Sequence, residues 1–191
     1  MLHVSRKTLV LAAGLAASAF LARAAAPEGW FLAGSKPANY DTGVDQKTLY
    51  NAHASAYLTS KSESDGFGTL MQSFIAAQYV GKRVRFTAWV KSEGVTRWAG
   101  LWMRIDGPSS QILGFDNMQD RSIKGTSSWQ QYAVVLDVKE KALGVGFGIL
   151  LDGPGEVWMN SANFEVVDSS VPTTGGKAVV ADGPTNLSFD K

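Results

Sequence analysis

The sequence predicts an all-β domain, a two-sheet antiparallel β-sandwich of jelly-roll type, and three observations carry that expectation. Apolar and polar residues alternate with a period of two along most of the chain, which gives each strand an inward and an outward face. Stripes at i, i+3 and i+4, which an amphipathic helix needs, are absent. Clusters of Gly, Pro, Asp and Ser punctuate the alternating runs, with 20 glycines in 191 residues, so the chain turns often. At that length and 45% hydrophobic residues it can bury one substantial core but is short for two domains.

The strands Ala54 to Thr59 and Phe67 to Phe74 come first, separated by the turn-formers Ser64-Asp65-Gly66. Next, Val84, Phe86, Ala88 and Val90 form one face of a strand, and Arg85, Thr87 and Trp89 form the other. A turn is expected at Ser92-Glu93-Gly94, then a strand from Trp98 to Ile105, then a turn at Asp106-Gly107-Pro108. Ile112 to Met118 and Gln131 to Val138 follow, with Gly125 to Ser128 as the separator. Gly144 to Leu151 alternates throughout and opens no helix, so its Gly144-Val145-Gly146-Phe147-Gly148 is not read as a phosphate loop. Glu156 to Val167 closes the set after Asp152-Gly153-Pro154-Gly155, with an interruption near Ser161.

The ends read differently. Arg6 and Lys7 precede an uncharged run from Thr8 to Ala22, and Ala22-Arg23-Ala24 has the small residues a signal peptidase requires. Residues 1–24 are therefore expected to be a secretory signal peptide, with export to the periplasm or the exterior and a mature N-terminus near Ala25 or Ala26. The apolar run is shorter than the ~20 residues of a bilayer span, so no membrane span is expected. The sandwich is assigned to residues 25–167, and 168–185, rich in Gly, Pro, Ser and Thr, reads as a linker-like tail. Residues 186–191 alternate again through Leu187 and Phe189, either completing the sandwich or beginning another module.

Charge and composition exclude several function classes. Lys and Arg number 18 against 17 Asp and Glu, and no block of one sign occurs. The concentrated positive face that duplex DNA demands is missing, so nucleic acid is not an expected partner. The absence of cysteine removes disulfides, thiolate metal sites and cysteine nucleophiles.

The stretch from Trp98 to Asp106 carries the candidate site. Ala99, Leu101, Met103 and Ile105 should face the core, leaving Trp98, Gly100, Trp102, Arg104 and Asp106 on the other face. Two indoles four residues apart on a strand lie about 13 Å from each other, a spacing suited to stacking on ring-shaped ligands. Asp116, Asn117 and Gln119 offer polar partners, and Gly146 and Gly148 should leave room above the sheet. The candidate ligand-binding residues are thus Trp98, Trp102, Arg104, Asp116, Asn117 and Gln119. Alternatively, Trp98 and Trp102 pack under a loop or against the tail, and Arg104 pairs with Asp116 as a structural ion pair. Trp30, Phe31, Trp89, Trp129 and Trp158 are expected to pack in the core or against the sheets. No catalytic residue is expected: His53 has no second histidine beside it, and Glu63, Asp65, Asp116, Asp120, Asp152 and Glu156 show no paired spacing.

Four segments resemble a known class: Asn51 to Leu58, Val80 to Ser92 with its Gly81-Lys82 and Ala88-Trp89-Val90-Lys91-Ser92, Ser128 to Tyr132 with its Trp129 and Tyr132, and Gly155 to Asn160. Their order resembles the carbohydrate-binding-module jelly rolls of the galactose-binding-like class over most of Gly29 to Val167. The resemblance implies a jelly roll, and it implies a structural calcium held by an acid of the first strand and an aspartate of the closing strand. Asn160 and Ser161 stand at those closing positions, and losing the carboxylate charge weakens a hard-cation site, so no cofactor or metal is expected. Members often begin with a strand like Asn186 to Asp190, which here lies at the C-terminus. The function expected from residues and resemblance together is a non-catalytic exported module binding a glycan or other small polar ligand. The alternative is a protein-interaction or sensory β-sandwich, and a glycoside-hydrolase-like enzyme comes third.

Overall fold

A computed structural model describes residues 25–61 and 65–175. The expected signal peptide, Glu63 and the expected strand 186–191 lie outside the described residues. Within them the fold is an all-β sandwich of nine strands: β1 (Phe31–Gly34), β2 (Tyr40–Tyr50), β3 (His53–Ser60), β4 (Phe67–Ile75), β5 (Arg83–Asp106), β6 (Ile112–Asp116), β7 (Ile123–Asp137), β8 (Gly144–Asp152) and β9 (Glu156–Val167). Helical structure among the described residues is confined to 3-10 turns of three residues each.

Strand β5 is the spine. Its first half, from Arg83 to Glu93, pairs with β9, and from Arg83 to Val90 with β7; its second half, from Trp98 to Asp106, pairs with β8 on one side and, near its end, with β6 on the other. One layer therefore runs β1-β4-β8-β5-β6 and the other β7-β5-β9-β3-β2, every pairing antiparallel. The turn expected at Ser92-Glu93-Gly94 is instead a bend inside one continuous strand. Gly94 takes φ 59°, and the register to β7 shifts between Val90 and Ser92, Ser92 and Val95, and Val95 and Ala99. These bulges have a purpose visible in the sequence. Val84, Phe86, Ala88 and Val90 point inward on even numbers, and Ala99, Leu101, Met103 and Ile105 point inward on odd ones, all of them fully buried. A strand with period two can change parity only by inserting residues, which is what a bulge does.

Other boundaries moved for similar reasons. The expected separator Gly125 to Ser128 lies within β7, where Gly125 has φ 68° and Ser127 hydrogen-bonds Ser92 at 2.9 Å. Strand β2 escaped notice because its alternation is broken at a register shift between Asp45 and Leu49. The interruption expected near Ser161 is real: Ser161 has φ 48° and the β5–β9 register slips there.

Between the layers, Phe86, Phe147, Phe74, Phe164, Tyr79 and Trp30 interlock, mostly edge to face with Phe74 and Tyr79 tilted, and the Phe86 and Phe147 centroids lie 4.8 Å apart. Phe86 and Phe147 are buried outright, and each contributes roughly 1.5 to 3 kcal/mol of transfer free energy. Trp158 is also buried, its indole N–H donating to Asp45 Oδ2 at 3.0 Å. Trp89 stacks on Tyr50, and Trp129 tilts against the same ring. Phe31 departs from the expectation of packing: it stands on the edge strand β1 and is 44% exposed.

Candidate functional site

The outer face of the β1-β4-β8-β5-β6 layer holds a hollow of about 390 Å³. Antiparallel register builds it. On β5, Trp98, Trp102 and Arg104 point outward, opposite Asp152, Gly148 and Gly146 of β8, while β4 contributes Phe67, Thr69 and Met71 from its own outward positions. Phe115 of β6 pairs with Arg104 and shares its face, and Asn117 follows just beyond the strand.

Trp102 is 7% exposed and forms part of the wall. Its indole N–H donates to Thr69 Oγ1 at 2.7 Å, and the Thr69 hydroxyl donates on to the Ile149 carbonyl at 2.8 Å. The room expected above the glycines is taken: a Cβ on Gly146 would sit 3.4 Å from the Trp102 ring, and one on Gly148 would sit 2.2 Å from the Leu70 carbonyl of β4. Those glycines exist for close packing, and the open space lies beside them.

The polar groups are largely spoken for. Trp98 donates its indole N–H to Asp152 Oδ2 at 3.0 Å, and Arg97 reaches the same oxygen at 3.1 Å. Asp152 Oδ1 is buried and has no hydrogen-bond partner among the described residues. Arg104 forms a fork onto Asp106 at 2.7 and 3.2 Å rather than pairing with Asp116. Each charge at the hollow thus has its counter-charge within the protein.

Of the six expected binding residues, Trp98, Trp102, Arg104 and Asn117 line the hollow. Asp116 does not, and is corrected: it pairs with Met103, an inward position, so alternation turns it away from the hollow. Its carboxylate is buried, taking both Arg121 guanidinium nitrogens and the Met118 N–H. Burial alone would raise its pKa, but Arg121, the Thr174 hydroxyl and the Met118 N–H together hold it below the ordinary carboxylate value. Gln119 is likewise corrected. It sits exposed on a 3-10 turn, its backbone N–H donating to Asn117 Oδ1 at 3.2 Å, off the lining. Sequence reading missed Phe67, Thr69, Met71, Phe115, Leu150 and Asp152. The alternation of β4 gave Phe67, Thr69 and Met71 a common face, but only the register to β8 brings that face beside Trp102.

The residues at the calcium positions implied by the resemblance do not fit a cation. Asn160 turns its amide nitrogen, a donor, onto the His53 and Ala54 carbonyls and the Ser55 hydroxyl at 3.0 to 3.2 Å. A cation would gather such oxygens itself; here an N–H₂ group does so. Among the described residues no cluster of three His, Asp or Glu could hold a metal, and no helix is long and apolar enough to cross a membrane.

No protein-family model matches the sequence. The chain is similar in sequence to the uncharacterized HTH-type transcriptional regulator YbfP of Bacillus subtilis, 44% identical over 168 residues, which is 86% of this chain and 57% of that regulator. In fold it resembles the CBM22-1 xylan-binding domain of Paenibacillus barcinonensis Xyn10C, at 11% identity and TM-score 0.54, covering 77% of this chain and 91% of that one. The CBM22-1–CBM22-2 tandem of the same protein matches at 10% identity and TM-score 0.58, over 85% of this chain and 46% of that one. The enzymatically active domain of bacteriophage CBA120 tailspike protein 4 matches at 14% identity and TM-score 0.52, over 73% of this chain and 20% of that one. These likenesses bear out the jelly-roll resemblance and extend to the fold. The regulator overturns the functional expectation: a chain 44% identical over 86% of its length to a transcriptional regulator is not read as an exported, non-catalytic glycan-binding module.

Proposed function

We propose that this sandwich is the signal-receiving module of a transcription-control system, with the hollow beside Trp98 and Trp102 as its effector site. The observation that carries the reading is the hollow itself: a concave site of ligand size, walled by aromatic and aliphatic side chains with few polar groups. The regulator relative supports the setting. A match of 168 residues in a chain of 191 necessarily runs through the sandwich, and the described residues contain no helix–turn–helix. The described part of the shared stretch is therefore read as a part of such a regulator that does something other than grip DNA.

The balanced charges select the ligand. An ion entering the hollow would compete with Arg97 for Asp152, or with Asp106 for Arg104, whereas a neutral ring with an apolar face and a few hydroxyl or N–H groups competes with neither. Such a ring would lie on the indoles while the Asn117 amide and the Arg104 rim meet its polar edge. The test is a fluorescence titration of the protein against neutral monosaccharides, nucleosides and aromatic amides, repeated on Trp98→Ala and Asn117→Ala. The expected result is a binder whose affinity falls about 10-fold or more in each variant, the equivalent of one lost stack or hydrogen bond. Binding that survives both substitutions unchanged refutes the site. The setting is tested by the native N-terminus: intact Met1 in a cytosolic fraction agrees with transcription control, and an exported chain lacking residues 1–24 overturns it.

A further inference from the structure

Phe115 borders two hollows at once. One is the site above; the other, of about 560 Å³, lies between β6, the end of β7 and the segment Thr173–Gly175. The phenyl ring is 46% exposed. Directly after it the chain reverses face, and buried Asp116 meets the same segment from behind. Gly175 rests on it so closely that a Cβ there would fall 2.2 Å from Asp116 Cβ, and its φ of 59° is one that a side chain disfavours.

The segment Asp168–Gly175 is a strap tied at two places. Arg83, itself forked onto Asp137, donates to the Ser169 and Val171 carbonyls at 2.7 and 2.6 Å. Further on, the Thr174 N–H donates to the Val135 carbonyl at 2.8 Å and the Val135 N–H donates to the Thr174 hydroxyl at 2.7 Å, so the strap extends the ladder at the edge of β7. Between these ties it forms part of the wall of the second hollow.

We propose that occupancy of the effector hollow is read out at this strap through Phe115. The inference rests on the site assigned above and adds its regulation. A ligand on the indoles takes the space beside the Phe115 ring, and the rotamer left to that ring turns it into the second hollow, toward Thr173 and Thr174. The strap answers by loosening the three bonds between Thr174 and Val135, which are its register with β7 among the described residues, and with them the contact of the Thr174 hydroxyl with Asp116. Phe115 is thus the two-position element that both sites bias.

The experiment needs no native ligand. Ala33→Trp fills the effector hollow from β1, and Phe67→Trp fills it from β4 in case the first variant does not fold. Amide hydrogen exchange at Thr174 and Val135 is measured by NMR in each folded variant, alone and with Phe115→Ala, with Arg83→Ala as the control that releases the strap. Filling the hollow should speed exchange at both amides about fivefold or more, the usual scale of coupling between sites, and Phe115→Ala should abolish that response. Unchanged protection in the filled variants while Arg83→Ala releases the strap overturns the relay and leaves the ligand site standing. A response that persists without the Phe115 ring overturns its role. Failure of the site itself would show separately, as binding indifferent to Trp98→Ala.

Discussion

Trp102→Ala separates a packed wall from a free binding platform. Alternation alone makes Trp102 an outward residue whose loss the fold should hardly notice, yet the side chain is 7% exposed and bonded to Thr69. A buried indole removes roughly 150 to 250 Å² from water, worth about 4 to 6 kcal/mol at 25 cal/mol per Å² as an upper bound. One flank borders the open hollow, so water rather than a void replaces part of the ring and the cavity contribution shrinks. The expected loss is therefore near the low end of the range for such truncations, about 3 kcal/mol, with the indole hydrogen bond contributing roughly 1 kcal/mol of it. Trp102→Phe keeps most of the area and should cost only about 1 to 2 kcal/mol, because the Thr69 hydroxyl still donates to Ile149. Urea unfolding followed by far-UV circular dichroism reads both values. A loss below about 1 kcal/mol for Trp102→Ala, within the scatter of surface substitutions, would show that the ring contributes little to the fold and refute the packing argument.

Arg121→Ala strands the buried Asp116 carboxylate and should cost about 3 kcal/mol in urea unfolding at pH 7; an unchanged midpoint would mean the pair contributes nothing. Asp45 is held at a pKa of about 2 by the Lys47 backbone N–H first, with Thr48 and Trp158 assisting. Because that folded value lies below the unfolded one of 3.8, its contribution to stability is complete above pH 4 and fades as pH falls toward 2. The Trp158 indole N–H resonance should titrate with a midpoint near 2, and a midpoint at the ordinary carboxylate value would contradict the hydrogen-bond assignment. Gly148→Ala forces a methyl against the Leu70 carbonyl and should cost about 2 kcal/mol or more in thermal or urea unfolding, whereas Gly94→Ala meets no neighbour and should cost only the strain of its positive φ, about 1 kcal/mol. Equal losses would show that space above β8 is not what selects glycine there.

Period-two alternation made the inward set of β5 and β8 legible without a structure, since Phe86, Met103, Ile105, Phe147 and Ile149 are assigned by parity alone. What it could not carry was register. Parity holds at Asp116, opposite inward Met103, but its residue type misleads, because a buried carboxylate with a guanidinium partner mimics a surface residue in sequence. The four lining residues found in advance all lie on one strand or just beyond its neighbour. Those missed on β4 and β8 needed cross-strand pairing, which depends on contacts up to about 80 residues apart, such as Thr69 with Ile149.

The spine strand also sets the order in which the protein can be assembled. All four partners of β5, namely β6, β7, β8 and β9, follow it in the chain. By contrast, the β2–β3 hairpin closes on itself as soon as its own residues are available. During synthesis from the N-terminus, a 24-residue strand rich in valine and tryptophan waits unpaired until β6 and β7 have been made, and the edge of its first half that β9 covers stays open until Val167. Long-range pairing of this kind is slow, and an open apolar strand is the natural place for chains to join one another. Refolding from denaturant should therefore lose more material to aggregation as protein concentration rises, and chains truncated before β8 should be captured by chaperones rather than accumulate as a half-sandwich.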